Sequence, residues 1–270
     1  MPIRTNLAHG SRSRIEKNGS HMQRDLLGRI MDKRATASRH LLLGVCAAFL
    51  AACTAAPAVE GATDAHGFPA ADRPVAGIVS SHSGKETDRD AQNEAQQVMD
   101  FLQIAPGMTV ADVGAGNGYF TVRLARRVGP TGRVIATDVV PEHLDRLRDR
   151  LTREGLDNVD LVLGKPDDPA LPEGAVDVVL LVRMYHEIEQ PYAFMWRLRD
   201  ALKPGGAVAI SERDRPTQDH GTPPRLLKCE IEAVGYKERE LRKFGPIGYV
   251  AVFTAEGTRP APSAVSPCRS

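Results

Sequence analysis

The sequence predicts an α/β fold, a mostly parallel sheet with helices on both faces. Three observations lead there. Beyond residue 108, short β-branched runs alternate with helical stretches, the pattern of strand–helix–strand units. One of these runs, residues 176–182, is nearly all apolar, as a central strand covered on both faces must be. Residues 109–113 feed the turn Gly114-Ala115-Gly116-Asn117-Gly118, and a helical stretch begins at once from Tyr119.

In chain order, residues 90–102 carry an apolar stripe of Ala91, Ala95, Val98, Met99 and Leu102, and are expected to form one helix. Pro106-Gly107 turns the chain into the first strand, and Phe120, Leu124 and Val128 give the next helix its buried face. Strands are expected at 133–138 and 159–163, with a helix at 141–153 that opens on Pro141. After the apolar strand, a helix at 191–202 is stopped by Lys203-Pro204-Gly205-Gly206, and a fifth strand covers 207–211. A helix at 223–234 and a closing antiparallel pair at 236–244 and 249–253 complete the domain, expected at 89–257. The Pro-, Ala- and Ser-rich residues 258–270 are expected to be a disordered tail, and residues 54–88 a linker and entry loop.

The N-terminus reads as a targeting segment, residues 1–53. A basic stretch from Met31 to His40 precedes an apolar run, Leu41 to Ala52, too short for the ~20 residues that span a bilayer. The run ends in Leu50-Ala51-Ala52-Cys53, which resembles a bacterial lipobox, and Met31 is a natural start for it, leaving 1–30 upstream. The resemblance implies export and lipid anchoring at Cys53 to the cell envelope, with the outer membrane favoured because Thr54 is not aspartate. Residues 1–53 hold nine Lys/Arg against three Asp/Glu, so the remainder is mildly acidic and a nucleic-acid partner is not expected. No metal-ligand spacing is present, and the spacing of Cys229 and Cys268 leaves open whether they pair.

The glycine turn is expected to present unpaired backbone N–H groups to a ligand, unobstructed by side chains. It is a poor dinucleotide loop, because the position that needs a third small residue holds Tyr119. Asp112, just before the turn, would repel a pyrophosphate but attract a cationic or donor-rich ligand end. Asp138, at the end of the second strand, is placed to accept ribose hydroxyls.

Together, Asp112 to Gly118, Asp138, residues 176–179 and Leu202-Lys203-Pro204-Gly205-Gly206 resemble the class I S-adenosylmethionine-dependent methyltransferases, in particular an exported bacterial branch. The resemblance covers roughly residues 75–255. It implies a Rossmann-like fold, a mostly parallel seven-stranded sheet whose last strand is antiparallel, and S-adenosylmethionine as cofactor. By resemblance, Gly114, Gly116, Asn117 and Gly118 approach the methionine part, with Asp112 near its amine. Asp138 takes the ribose, Asp167 or Asp168 the adenine amine, and Val182 with Arg183 borders the sulfonium.

Methyl transfer needs acceptor and sulfonium held in line and, for a protonated acceptor, a base. His186, beyond the fourth strand, is the expected catalytic base, with Tyr119 and Glu212 as other pocket residues and Arg89-Asp90 as part of a lid. The reading is therefore a methyltransferase for a small or lipid-like acceptor. The alternatives are a non-catalytic lipoprotein that binds S-adenosylmethionine or S-adenosylhomocysteine and, disfavoured by Tyr119 and Asp112, a nicotinamide-dependent oxidoreductase.

Overall fold

The computed structural model describes residues 63–64, 66–78 and 85–269, all within the second of the chain's two units, Ala56–Ser270. The expected targeting segment, Cys53 included, lies outside the described residues. Seven strands form one sheet: β1 (Thr109–Val113), β2 (Arg133–Asp138), β3 (Val159–Leu163), β4 (Val176–Val182), β5 (Leu202–Glu212), β6 (Tyr236–Lys243) and β7 (Tyr249–Ala255). Their order is β3-β2-β1-β4-β5-β7-β6, with β7 antiparallel to both neighbours and the other pairs parallel. This is the Rossmann-like sheet expected, its last strand reversed.

Helices cover both faces: α1 (Glu86–Ala91), α2 (Glu94–Phe101), α3 (Tyr119–Val128), α4 (Pro141–Glu154), α5 (Pro191–Leu198) and α6 (Pro224–Glu232). On one face Ala95, Val98 and Met99 of α2 and Phe120, Leu124 and Val128 of α3 pack on Val110, Val134 and Leu180 of the strands. On the other, Tyr192, Met195 and Leu198 of α5 and Leu227 and Ile231 of α6 pack on Val179, Leu181, Val208 and Phe253. Strand order reverses between β1 and β4, and this crevice at the strands' carboxyl ends is where an open α/β sheet takes ligands.

Four expectations are corrected. The helix expected at 90–102 is two, α1 and α2, broken where Asn93 turns left-handed at φ 51°. Asparagine tolerates that conformation, and the apolar stripe runs on across the break, so periodicity conceals it. The break leaves Ala91 exposed and buries Glu94 beside Arg89. The fifth strand begins at Leu202, not 207, because Lys203 to Gly206 is accommodated by a shift of register against β4.

The tail expected to be disordered is packed on α5. Arg259 lies 3.5 Å over the Trp196 ring, Trp196 Nε1 donates to the Pro260 carbonyl, and the Cys268 amide donates to Tyr192 Oη. A disulfide joins Cys268 to Cys229 of α6. The stretch expected as linker also enters the core. Phe68 is buried against Trp196, and Arg73 pairs with the buried Glu230 at 2.9 Å.

Candidate functional site

The carboxyl ends of β1, β2 and β4 open into a cavity of about 280 Å³. Its walls include Asp112, Gly114, Gly116, Tyr119, Asp138, His143, Val182, Arg183, Met184 and Glu187, with Ala76, Gly77 and Ile78 alongside. Strand pairing explains the first of these. Asp112 of β1 is opposite Ala136 of β2, so Asp112 and Asp138 end neighbouring strands two residues apart in register.

The glycine turn contributes room, not donors. Gly114 and Ala115 both donate to the Thr137 carbonyl, Gly116 to Asp138 Oδ2 at 2.8 Å, and Gly118 to the Ala115 carbonyl. These four N–H groups, expected to be unpaired, are thus used to tie the turn to β2 and to itself, an internal pairing that buried backbone donors require. What glycine supplies is space and a left-handed backbone. A Cβ on Gly114, at φ 71°, would sit 2.8 Å from Met184 Cγ, and one on Gly118, at φ 82°, would sit 2.3 Å from Leu147 Cδ1.

Asp138 is the hub of this end. Oδ2 accepts from Gly116, and Oδ1 accepts from the Val140 amide at 2.9 Å and faces His143 Nδ1 at 3.1 Å. A carboxylate has about four acceptor positions, so one remains for a ligand. The Asp138 contact assigns the His143 proton to Nδ1 and leaves Nε2 a lone-pair acceptor. That Nε2 is buried and, among the described residues, has no hydrogen-bond partner, while the His143 side chain belongs to the cavity lining. Two acceptor-bearing side chains, Asp138 and His143, therefore stand together at this end of the cavity.

Asp112 is 3 % exposed and accepts from Thr121 Oγ1 at 2.6 Å. Burial pushes its carboxyl up to about 6, although Thr121 and Arg89 pull the other way. Arg89, itself buried, stacks 3.7 Å from the Tyr119 ring centroid and is held in a bidentate pair by Glu94. Glu94 also receives Arg183 Nη2 at 2.9 Å, and burial pulls the Arg183 guanidinium down to about 10. This wall is thus one ionic chain from α1 through α2 to Arg183, just after β4.

Of the residues expected at a cofactor, the structure brings Asp112, Gly114, Gly116, Asp138 and Val182 to the cavity. Asn117, Gly118, Asp167 and Asp168 are not among its lining residues. Asn117 Oδ1 accepts from Arg146, Gly118 packs on Leu147, Asp167 pairs with Arg197, and Asp168 Oδ1 caps the Ala170 amide. Their neighbours Gly164, Lys165, Pro166 and Pro169 form that wall instead. His186 is 1 % exposed and lies behind the wall, where Glu187 is the lining residue. The sequence reading missed His143, one turn into α4 with only a Pro start to mark it, and Glu94, whose burial follows from the helix break.

Comparison with known proteins agrees with this geometry. Residues 110–206 match a family model described as a methyltransferase domain. The chain is 34 % identical over 115 residues to an arsenite methyltransferase of Halobacterium salinarum, covering 42 % of this chain and 29 % of that one. It is 33 % identical over 159 residues to a protein-L-isoaspartate O-methyltransferase of Methanopyrus kandleri, covering 58 % and 64 %. The chain thus spans less than two thirds of these relatives. Among solved structures, an Aquifex aeolicus SAM-dependent methyltransferase superposes with a TM-score of 0.54 at 24 % identity, covering 64 % of this chain and 98 % of that one. The cyclase SpnF superposes at 0.53 with 15 % identity, covering 68 % and 88 %. At these identities the structures establish a shared fold, and the second shows that the fold also carries other chemistry.

Proposed function

We propose that this protein is an S-adenosylmethionine-dependent methyltransferase acting on a small or lipid-like acceptor. One observation carries the reading: Asp112, Asp138 and His143, whose buried Nε2 has no hydrogen-bond partner among the described residues, line a single cavity beside a turn in which Gly114 and Gly118 leave no room for a Cβ. Asp138 and His143 would each take a ribose hydroxyl, Asp112 the amine of the methionine part, and Val182 with Met184 the apolar flank of the sulfonium. Bound there, the cofactor supplies a methyl group on a positively charged sulfur, which keeps the C–S electron pair when the carbon leaves.

The chain's own residues hold, orient and exclude water. Tyr119, clamped by Arg89, fixes one side, and Ala76, Gly77 and Ile78 run along the cavity, with the Ala76 amide donating to the His186 carbonyl. Val139, Ile188 and Phe194 make much of the remaining wall apolar, in keeping with a small organic or lipid-like acceptor. Glu187 and Glu189 are carboxylates on that wall beyond β4. His186, the expected base, has Nε2 3.8 Å from Glu187 Oε1, so a proton reaching it from an acceptor passes Glu187 first.

The proposed location is the extracytoplasmic side of the cell envelope, anchored through a lipidated Cys53. The Cys229–Cys268 disulfide supports this, because such bonds persist in oxidising compartments. The same location favours a second reading, a lipoprotein that binds the cofactor or its demethylated product without turnover, since the methyl donor is made in the cytosol.

Calorimetric titration with S-adenosylmethionine and S-adenosylhomocysteine, with Asp138→Ala as control, tests the proposal. Binding on the order of micromolar, lost in the variant, supports it. A folded protein that binds neither overturns it. Binding without methyl transfer to any of a panel of hydroxyl, thiol and amine acceptors favours the second reading.

A further inference from the structure

Behind the acceptor side of the cavity, His186, Glu187 and His220 each offer one ligand atom, and the three atoms lie within 4.8 Å of one another. We propose that this trio binds a divalent first-row transition cation. The imidazole and carboxylate donors match such ions, whereas calcium and magnesium prefer oxygen alone.

The surroundings are those of an oriented ligand set. His186 Nδ1 lies 2.9 and 3.0 Å from the two oxygens of Glu212, a carboxylate with no exposed surface at the end of β5. That bond assigns the proton to Nδ1 and turns the Nε2 lone pair toward Glu187, the arrangement by which an outer carboxylate fixes a metal-binding imidazole. Glu212 Oε1 also accepts the Tyr185 amide, and Arg73 reaches the carbonyls of Tyr185, His186 and Ile188, so the turn carrying two of the ligands is held rigidly.

His220 comes from a different segment and is brought in deliberately. It ends the turn Thr217–Asp219 in a left-handed conformation, φ 57°, uncommon for a residue with a side chain. Thr217 Oγ1 donates to the Pro74 carbonyl and the Thr222 amide to the Arg213 carbonyl, folding this loop back on the site. The two imidazole rings meet edge to face at 5.4 Å. His220 Nδ1 is buried and, among the described residues, has no hydrogen-bond partner. A buried nitrogen left without a partner is costly, and a cation would satisfy it.

Metal–ligand bonds of about 2.0–2.2 Å put tetrahedral ligand atoms roughly 3.3–3.6 Å apart, so the 3.8 Å between His186 Nε2 and Glu187 Oε1 needs only a few tenths of an ångström of closure. Three protein ligands leave a position open on the side of Glu187, the cavity side. This part of the proposal rests on the methyltransferase reading. A cation held there would lower the pKa of an acceptor hydroxyl or thiol at the open position, so that its proton would pass to water and its lone pair would be free to bond to the methyl carbon as the C–S pair returned to sulfur. His186 is in this assignment a ligand, not a free base.

The test is calorimetry of the chelator-stripped full-length chain with zinc chloride and, separately, manganese chloride, together with visible spectra of the cobalt-loaded protein. One equivalent bound, an affinity weakened at least about tenfold in His220→Gln, and a loss of about 10–100-fold in Glu212→Gln support the site. His66→Ala, at an exposed histidine elsewhere, serves as the unchanged control. The His220 variant sits on a partly exposed turn, so circular dichroism melts confirm its folding where the buried His186→Gln would fail. Absence of binding to the parent, or equal binding by His220→Gln, overturns the proposal. Cation binding without cofactor binding overturns only the methyltransferase reading, and the reverse overturns only the metal site.

Discussion

The two ends of the cavity are built in opposite ways. The end over β1 and β2 comes from one continuous stretch, residues 109–143, in which Asp112, the glycine turn, Asp138 and His143 satisfy one another. The end beyond β4 is assembled from segments far apart. Arg73 and Ala76 meet residues 185–188, Thr217 meets Pro74, Glu212 meets His186, and Cys268 is tied to Cys229. A local design can be recognised from a motif. A long-range one depends on the whole chain being in place and leaves no short signature.

The largest expected effect breaks the distant end alone. The disulfide closes a loop with a sequence separation of 39, worth about 4 kcal/mol in loop-closure terms. Cys268→Ser, or reduction, is expected to lower the melting temperature by about 10 °C, with cofactor affinity changed less than about threefold. A melt and a titration on the same sample check both halves, and equal damage to the two ends would refute the division.

Asp138→Ala strikes the local end. It removes the acceptor of Gly116, Val140 and His143 together, and cofactor affinity is expected to drop at least about 100-fold, roughly 2.7 kcal/mol. The disulfide-dependent stability should remain.

A smaller effect comes from pH. The Asp112 carboxyl stands at about 6, against an unfolded value of about 4. Between these values the folded state holds the proton more tightly, so this group's contribution to stability falls as pH rises through the window. Affinity for a cationic amine runs the other way, because it needs the ionised form. Cofactor affinity is expected to weaken about tenfold from pH 7 to pH 5, and Asp112→Asn is expected to flatten that slope in a calorimetric series.

Asn117→Ala should do least, less than about twofold, since its side chain meets the exposed Arg146 and not the cavity. A large effect there would mean that the whole motif, not its cavity-facing members, touches the ligand.

The strand–turn–helix start, the strand boundaries through β4 and the placement of Asp112 and Asp138 were legible because each rests on local pattern. The orphaned acceptor of His143 was not, since a histidine on a helix face carries no sign of which carboxylate will orient it. Asp167 and Asp168 mislead for a related reason. Their position after β3 fits an adenine contact, but Arg197 on α5 and the Lys165–Asp168 turn take their oxygens and backbone. The tail's Pro-rich composition suggested disorder, yet proline and alanine are cheap to immobilise once Trp196, Tyr192 and Cys229 offer partners. Burial of Glu94, Glu212 and Glu230 is likewise written in their partners, not in the residues.

The pair of Arg73 and Glu230 bears on how far this protein can be shortened. The segment recognisable by similarity, 110–206, ends before Glu230 and begins after Arg73. Trimming the N-terminal side to the first helix would strand Glu230, whose side chain has no exposed surface, opposite nothing but the Tyr185 hydroxyl. An uncompensated buried charge costs about 3–5 kcal/mol, a large share of a typical domain's stability. The stretch that the family model matches is therefore smaller than the unit that folds. Recombination or truncation at the edges of the shared segment would deliver the cofactor motif without the scaffold that keeps it.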